Sequence, residues 1–296
     1  MLPYLFVLFS MIAFGLSNVC WKPLLSFRSS TELLFQRSIY TVLLFLTLGI
    51  VTRVINMYIL PETFDIPSIL VNPNTPTAIT SILLSLIGLY LFVSSTKLIP
   101  TSMAGILICS SSLMSAWLGW WFNQEAITVH LAVGFLMTAI GVMLLENINQ
   151  WKKPSMKGIR LALGAAALWA IANLGFKTTI PSLGTLNFSL LQECIVLSVT
   201  TSIIFIQKKM PDTLQKPIYR FKPEGLILLI SGCTVVGVFF NNLGLKQLPI
   251  SQYALMVLAQ PLTTLLAASM WLKERLSKKQ WIGTCLILAG IYWGTS

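Results

Sequence analysis

Apolar residues run through this chain in long blocks with almost no charge inside them, and short polar segments punctuate the blocks. A bilayer core of about 30 Å asks for roughly 20 apolar residues per helix, and blocks of that length are read here as transmembrane helices rather than soluble core. Ten such blocks fall near 3–21, 33–56, 77–96, 102–122, 128–146, 158–177, 185–206, 225–245, 251–272 and 280–295. The expected fold class is an all-α integral membrane protein.

The blocks repeat. Asn18-Val-Cys-Trp21-Lys22 ends the first, and Asn173-Leu-Gly-Phe176-Lys177 ends the sixth. Lys97-Leu-Ile-Pro100 returns as Lys246-Gln-Leu-Pro249, and from there Glu125, Gly134 and Gly141 fall in register on Glu274, Gly283 and Gly290. A tandem duplication explains this order, with a first five-helix repeat over 1–147, a linker over 148–157 and a second repeat over 158–296. Five is odd, so the second copy enters the membrane upside down relative to the first, the inverted-repeat plan of many transporters.

Composition agrees with lipid as the solvent: 55% of residues are hydrophobic and 10% charged, with a mean hydropathy of +0.80. The net charge of +11 does not point to nucleic acid, because the basic residues flank membrane blocks instead of forming a separate patch. Sorted by loop, about 17 of the Lys and Arg residues fall on one side and about 3 on the other, so the positive-inside rule places the rich side in the cytoplasm. That side holds Lys152, Lys153 and Lys157, then Lys208 to Lys222, then Lys273 to Lys279. Both termini are then expected outside, and the first block is expected to stay as a helix, since it lacks the flanks of a cleaved signal.

Enzymatic chemistry has little to draw on. The one histidine, His130, starts a helix, both aspartates fall in loops, and no nucleophile elbow, phosphate loop or metal-ligand spacing occurs. The five cysteines sit inside helices without paired spacing and read as packing residues. No cofactor and no metal is expected. The loop at about 57–76, with Pro61, Pro67, Pro73 and Pro76, is expected to be extended or turn-rich, as a cover or linker.

Candidate functional residues are the polar groups a membrane interior tolerates only at a cost. Glu193 lies well inside the seventh block, and matching the second block to the seventh sets Gln36-Arg37 on Gln192-Glu193. The two charges read as an ion pair or as solute-facing groups at the seam between repeats, with snorkelling of Arg37 as the alternative. Lys22 and Lys177 also admit snorkelling. Their shared setting, one helical turn beyond Asn18 and Asn173 and beside Trp21 and Phe176, favours matched inner and outer gates, with an aromatic wall and an ammonium for an anion. Ser111 and Gln260 occupy aligned positions on the fourth and ninth blocks, either packing helices closely or lining a polar cavity. Tyr90, Phe240 and Asn241 lie at corresponding levels of the third and eighth blocks, and Trp169 completes the solute-binding set. Pro261 removes a backbone hydrogen bond from the ninth block, where the first repeat carries Ser112. The glycine pairs Gly134/Gly141 and Gly283/Gly290 read as packing stripes, and Trp117, Trp120 and Trp121 as interfacial anchors.

These residues, with Trp271-Leu-Lys-Glu274-Arg-Leu and Gln280-Trp-Ile-Gly283 in the second copy, resemble the ten-helix EamA-type transporters of the drug/metabolite transporter superfamily over nearly the whole chain. The resemblance implies a bacterial inner-membrane carrier, commonly an exporter of amino acids or related metabolites, working by alternating access. The related four-helix multidrug transporters use a first-helix glutamate for proton exchange. This chain has Ser17-Asn18 and Ala172-Asn173 at that level, so the mechanism does not transfer. The expected partners are a small-molecule solute, the lipid bilayer and, through Glu193, protons, with a monomer favoured. A sugar or nucleotide-type exchanger and a non-transporting scaffold or lipid-binding protein remain the alternatives.

Overall fold

The computed structural model describes residues 2–25, 28–55, 65–99, 101–145, 155–207, 223–272 and 276–296. Helices are α1 (Leu2–Leu25), α2 (Ser30–Ile55), α3 (Ile66–Val71), α4 (Thr75–Thr96), α5 (Thr101–Asn123), α6 (Val129–Leu145), α7 (Met156–Leu183), α8 (Thr185–Gln207), α9 (Pro223–Gln247), α10 (Ile250–Val257), α11 (Gln260–Leu272) and α12 (Lys278–Thr295). No strand occurs among the described residues. Among the described residues, eight segments are long and apolar enough to cross a bilayer, with α10 and α11 counted together as Ile250–Met270. The shorter α6, 17 residues long, is apolar, whereas α12 opens on Lys278-Lys279-Gln280, which lowers its mean hydropathy. Most of the expected linker, 148–154, lies outside the described residues.

Helix ends follow the local sequence. Ser29 and Glu32 form a capping box before α2, and Ser277 and Gln280 form another at α12, each satisfying amides that the first helical turn leaves unpaired. Thr128 caps α6 through the Leu131 amide at the position equivalent to Ser277. Between α7 and α8 the whole connection is Gly184, at φ 81, a conformation that side chains resist. The segment expected to be extended or turn-rich over about 57–76 contains the short helix α3, with Pro67 in its first turn, where a missing amide costs nothing. Asn72 and Asn74 tie this segment to Ser182 at the end of α7.

The two copies interleave instead of standing side by side. α1 packs on α9 and α11 of the other repeat, and its equivalent α7 packs on α4 and α5. Two equivalent pairs, α6 with α12 and α2 with α8, pack directly on each other. In the α6–α12 pair, a Cβ on Gly134 would stand 2.6 Å from the Gly290 carbonyl oxygen, and one on Gly141 would stand 2.7 Å from that of Gly283. The order is antiparallel, and equivalent helices of two copies run antiparallel only when the copies are inverted. The glycine stripes therefore pack against one another, letting the backbones approach as small residues do in membranes.

Polar side chains follow the same logic. Most buried Ser and Thr hydroxyls return to the carbonyl three or four residues earlier, as Thr41, Thr138, Ser189 and Thr200 do, so each hydroxyl is satisfied without water. Outward-facing positions carry large apolar groups such as Leu43, Leu136, Ile171 and Leu288, the surface that lipid covers.

Candidate functional site

The α2–α8 crossing brings the two expected charges together. Arg37 Nη2 donates to Glu193 Oε2 at 2.7 Å, with the side chains 14% and 3% exposed. Arg37 and Glu193 are equivalent positions of the two copies, and equivalent positions touch only at the pseudo-twofold axis. Each lies in the third turn of a helix that enters from the opposite face, so the pair sits deep within the bundle. Arg37 therefore pairs across the seam instead of snorkelling. Its neighbour Gln36 has a counterpart, Gln192, that accepts from Asn242, which also donates to Ser189.

Two further contacts are related by the same axis. Asn18 Nδ2 donates to Thr264 Oγ1 at 3.2 Å, between α1 and α11, and Asn173 Nδ2 donates to Ser115 Oγ at 3.3 Å, between α7 and α5. Chemistry and distance match, but burial does not: the Asn18 contact is exposed and the Asn173 contact is partly buried. Thr264 and Ser115 hold aligned positions in the two copies, and their pairing with the asparagines depends on helix packing.

The Asn173 end carries a double helix cap that sequence reading did not anticipate. Lys177 Nζ donates to the carbonyls of Leu245, Lys246 and Leu248 at 2.9, 3.0 and 2.6 Å. Two residues on, Glu125 accepts from the amides of Ile250 and Ser251 and from the Ser251 hydroxyl at 2.7, 2.9 and 2.8 Å. A cation thus holds the C-terminus of α9 and an anion the N-terminus of α10, each matched to the helix dipole. Gln124, at φ 54, turns the chain to aim Glu125, and Gly119 leaves room for its carboxylate. With all three ammonium donors engaged, Lys177 holds backbone in this conformation in place of an anion. A shallow depression of about 470 Å³ beside it is lined by Trp120, Trp121, Gln124, Glu125 and Ala126.

The other expected residues divide. Trp21 is half-buried with its Nε1 on Ser17 at 3.2 Å, and Trp169 is half-buried with its Nε1 on the Ser85 carbonyl at 2.8 Å and its ring beside Phe92. Ser111, Gln260 and Tyr90 are half-buried. Phe176 is 4% exposed, edge-on to Phe188, in the main apolar core. Phe240 stacks on Phe6 and lies tilted against Phe9 between α9 and α1, and Asn241 accepts from the Tyr253 hydroxyl. The Lys22 side chain and Glu274 lie outside the described residues.

Pro261 breaks the ninth expected helix into α10 and α11. The Val257 carbonyl loses its partner because proline has no amide hydrogen, and the chain bridges the gap with Leu258 and Ala259 amides bonded three residues back. Its equivalent α5, with Ser112, runs unbroken.

The sequence pattern of the EamA-like transporter family matches residues 1–146 and again 156–295. The chain belongs to the EamA-like transporter family. A multi-pass membrane transporter of this family is accordingly what the inverted, interleaved repeats build. A solved structure described only as "Crystal structure of protein" aligns over 99% of this chain and 96% of its own, with a TM-score of 0.76 and 15% identity, a likeness of fold. A comparison with curated proteins finds no match.

Proposed function

We infer that this EamA-like transporter moves small organic metabolites across the bacterial cytoplasmic membrane by alternating access, with export of amino acids or related compounds as the leading assignment. One observation carries the reading: the two axis-related pairs, Asn18–Thr264 and Asn173–Ser115, are chemically alike yet unequally exposed. Two inverted repeats with one sequence plan reach two opposite-facing states by exchanging conformations, so at any moment equivalent positions differ in access. The double cap by Lys177 and Glu125 closes the less exposed end. On the charge count that end is external, both termini are external, and this conformation faces the cytoplasm. The carrier acts as a monomer, and polar and aromatic groups at the seam suit a solute with a charged head and an apolar body.

The test is a flux screen in vesicles reconstituted with the purified protein, presenting amino acids, sugars and organic cations with and without a proton gradient. Uptake or counterflow of amino acids above protein-free vesicles is expected. No flux of any class overturns the reading.

A further inference from the structure

Two buried polar atoms at the α2–α8 crossing have no hydrogen-bond partner, Nε of Arg37 and Oε1 of the adjacent Gln36. Burying a donor or an acceptor without replacing its bond to water is costly, and buried polar atoms are ordinarily paired. The guanidinium offers five N–H donors in a fork shaped for a carboxylate. Its contacts here are one Glu193 oxygen and a long 3.4 Å bond to Ser38. Arg37 is also the more reachable partner, 14% exposed against 3% for Glu193. The Glu193 carboxylate thus occupies the place that an incoming carboxylate would take, and a spare donor and a spare acceptor stand beside it.

We propose, resting on the carrier reading above, that Arg37 and Glu193 form a charge-conserving solute site. Arg37 receives the solute carboxylate in exchange for Glu193, and Glu193 is neutralised by the solute's own ammonium group or by a proton. An unbalanced charge deep in a membrane bundle is strongly disfavoured, so the site carries zero net charge both empty and loaded. A zwitterion meets this condition alone, its carboxylate on Arg37 and its ammonium on Glu193 with Gln36 Oε1 as a further acceptor. A monocarboxylate meets it only with one proton bound to Glu193, taken up with the solute on one side and released with it on the other. An organic cation leaves Arg37 unbalanced and is excluded.

Other groups on the packed elements do not supply the compensation. Cys194 beside Glu193, Cys233 on α9 and Tyr90 on α4 belong to types that are neutral near pH 7. The charges of α2 and α9 stand at their ends, with Glu32 and Arg53 on the first and Glu224 and Lys246 on the second. On α7, Lys157 and Arg160 lie in the first two turns, and Lys177 is held by the α9 carbonyls.

The experiment measures binding to the full-length protein in nanodiscs and counterflow in proteoliposomes, with three probes: leucine, 4-methylpentanoate, which lacks the ammonium, and 3-methylbutylamine, which lacks the carboxylate. Leucine is expected to bind with an affinity flat between pH 6 and 8. 4-Methylpentanoate is expected to weaken as the pH rises, approaching tenfold per pH unit, the slope of one linked proton. The amine is expected not to bind. Glu193→Gln removes the pH dependence of 4-methylpentanoate and weakens leucine tenfold or more. Arg37→Gln abolishes both, and the double variant Arg37→Gln/Glu193→Gln controls for folding through its melting temperature. Binding of leucine and 4-methylpentanoate unchanged in Arg37→Gln, amine binding equal to leucine, or no binding of any probe overturns the site. The flux screen judges the carrier reading separately, so a carrier with the wrong site and a protein that carries nothing give different results.

Discussion

The two ends of the bundle carry the same contact in different surroundings. At one end Asn18 meets Thr264 in the open, and at the other Asn173 meets Ser115 in partial burial beside the Lys177 and Glu125 caps. The bond is alike at both positions, an asparagine amide on a hydroxyl, while its exposure differs. A second contrast points the other way. Both α6–α12 and α2–α8 cross the pseudo-twofold axis, but the first keeps glycine on both sides and the second has opposite charges. Where the copies agree the crossing is a close backbone contact, and where they differ it holds an ion pair.

The largest effect is expected at the crossing shared by both ends. Gly290→Leu forces a side chain against the Gly134 carbonyl, 2.8 Å from the position of its first carbon. Overpacking strains even a core whose side chains can yield, and here the backbones of two helices would have to part. The melting temperature in detergent should fall sharply, and both ends should be affected alike. Arg37→Ala comes next. It strands Glu193 and should destabilise by about 3–5 kcal/mol, with much of the loss recovered in Arg37→Ala/Glu193→Ala, because an unpaired buried charge costs more than an absent pair. If the double variant is no more stable than the single one, the two groups do not act as a pair.

A smaller and one-sided effect is expected from the double cap. Lys177→Met or Glu125→Gln removes charge-assisted bonds worth about 1.5–3 kcal/mol. Either change should raise maleimide labelling of a cysteine at position 173 by tenfold or more, with labelling at position 18 unchanged or reduced. Equal change at both positions would mean that the caps hold the whole bundle instead of one end. The smallest effect is expected at the helix break. Pro261→Ala restores a backbone donor, so it should leave the melting temperature within about 1 kcal/mol or raise it, while slowing any solute exchange that depends on α10 and α11 moving separately. Ser112→Pro in α5 tests the converse.

Much of the plan was readable because lipid constrains sequence more tightly than water does. Long apolar blocks, their odd number per copy and the in-register glycines led to inverted repeats without any coordinate. Arg37 and Glu193 were readable as a pair for the same reason: equivalent positions of inverted copies are candidates for contact on the axis. The same reasoning gave Lys177 an anion to hold, but its ammonium engages the end of α9. Sequence cannot distinguish a lysine aimed at a solute from one aimed at backbone carbonyls, since both need the same side chain after the same aromatic. Phe176 was expected as the aromatic wall of a gate and Phe240 among the solute-binding residues; in this conformation Phe176 packs in the core and Phe240 lies against α1. An apolar ring is equally at home in either place, and only the rotation of its helix chooses.

The sequence by itself determined the solvent, the number of copies and their inversion, because hydropathy and helix count are properties of the chain that hold before any contact forms. The tertiary structure alone decided which carbonyls Lys177 serves, that Glu125 caps a helix far along the chain, and which of two equivalent asparagines is the more exposed. Those outcomes depend on distances between helices that are remote in sequence.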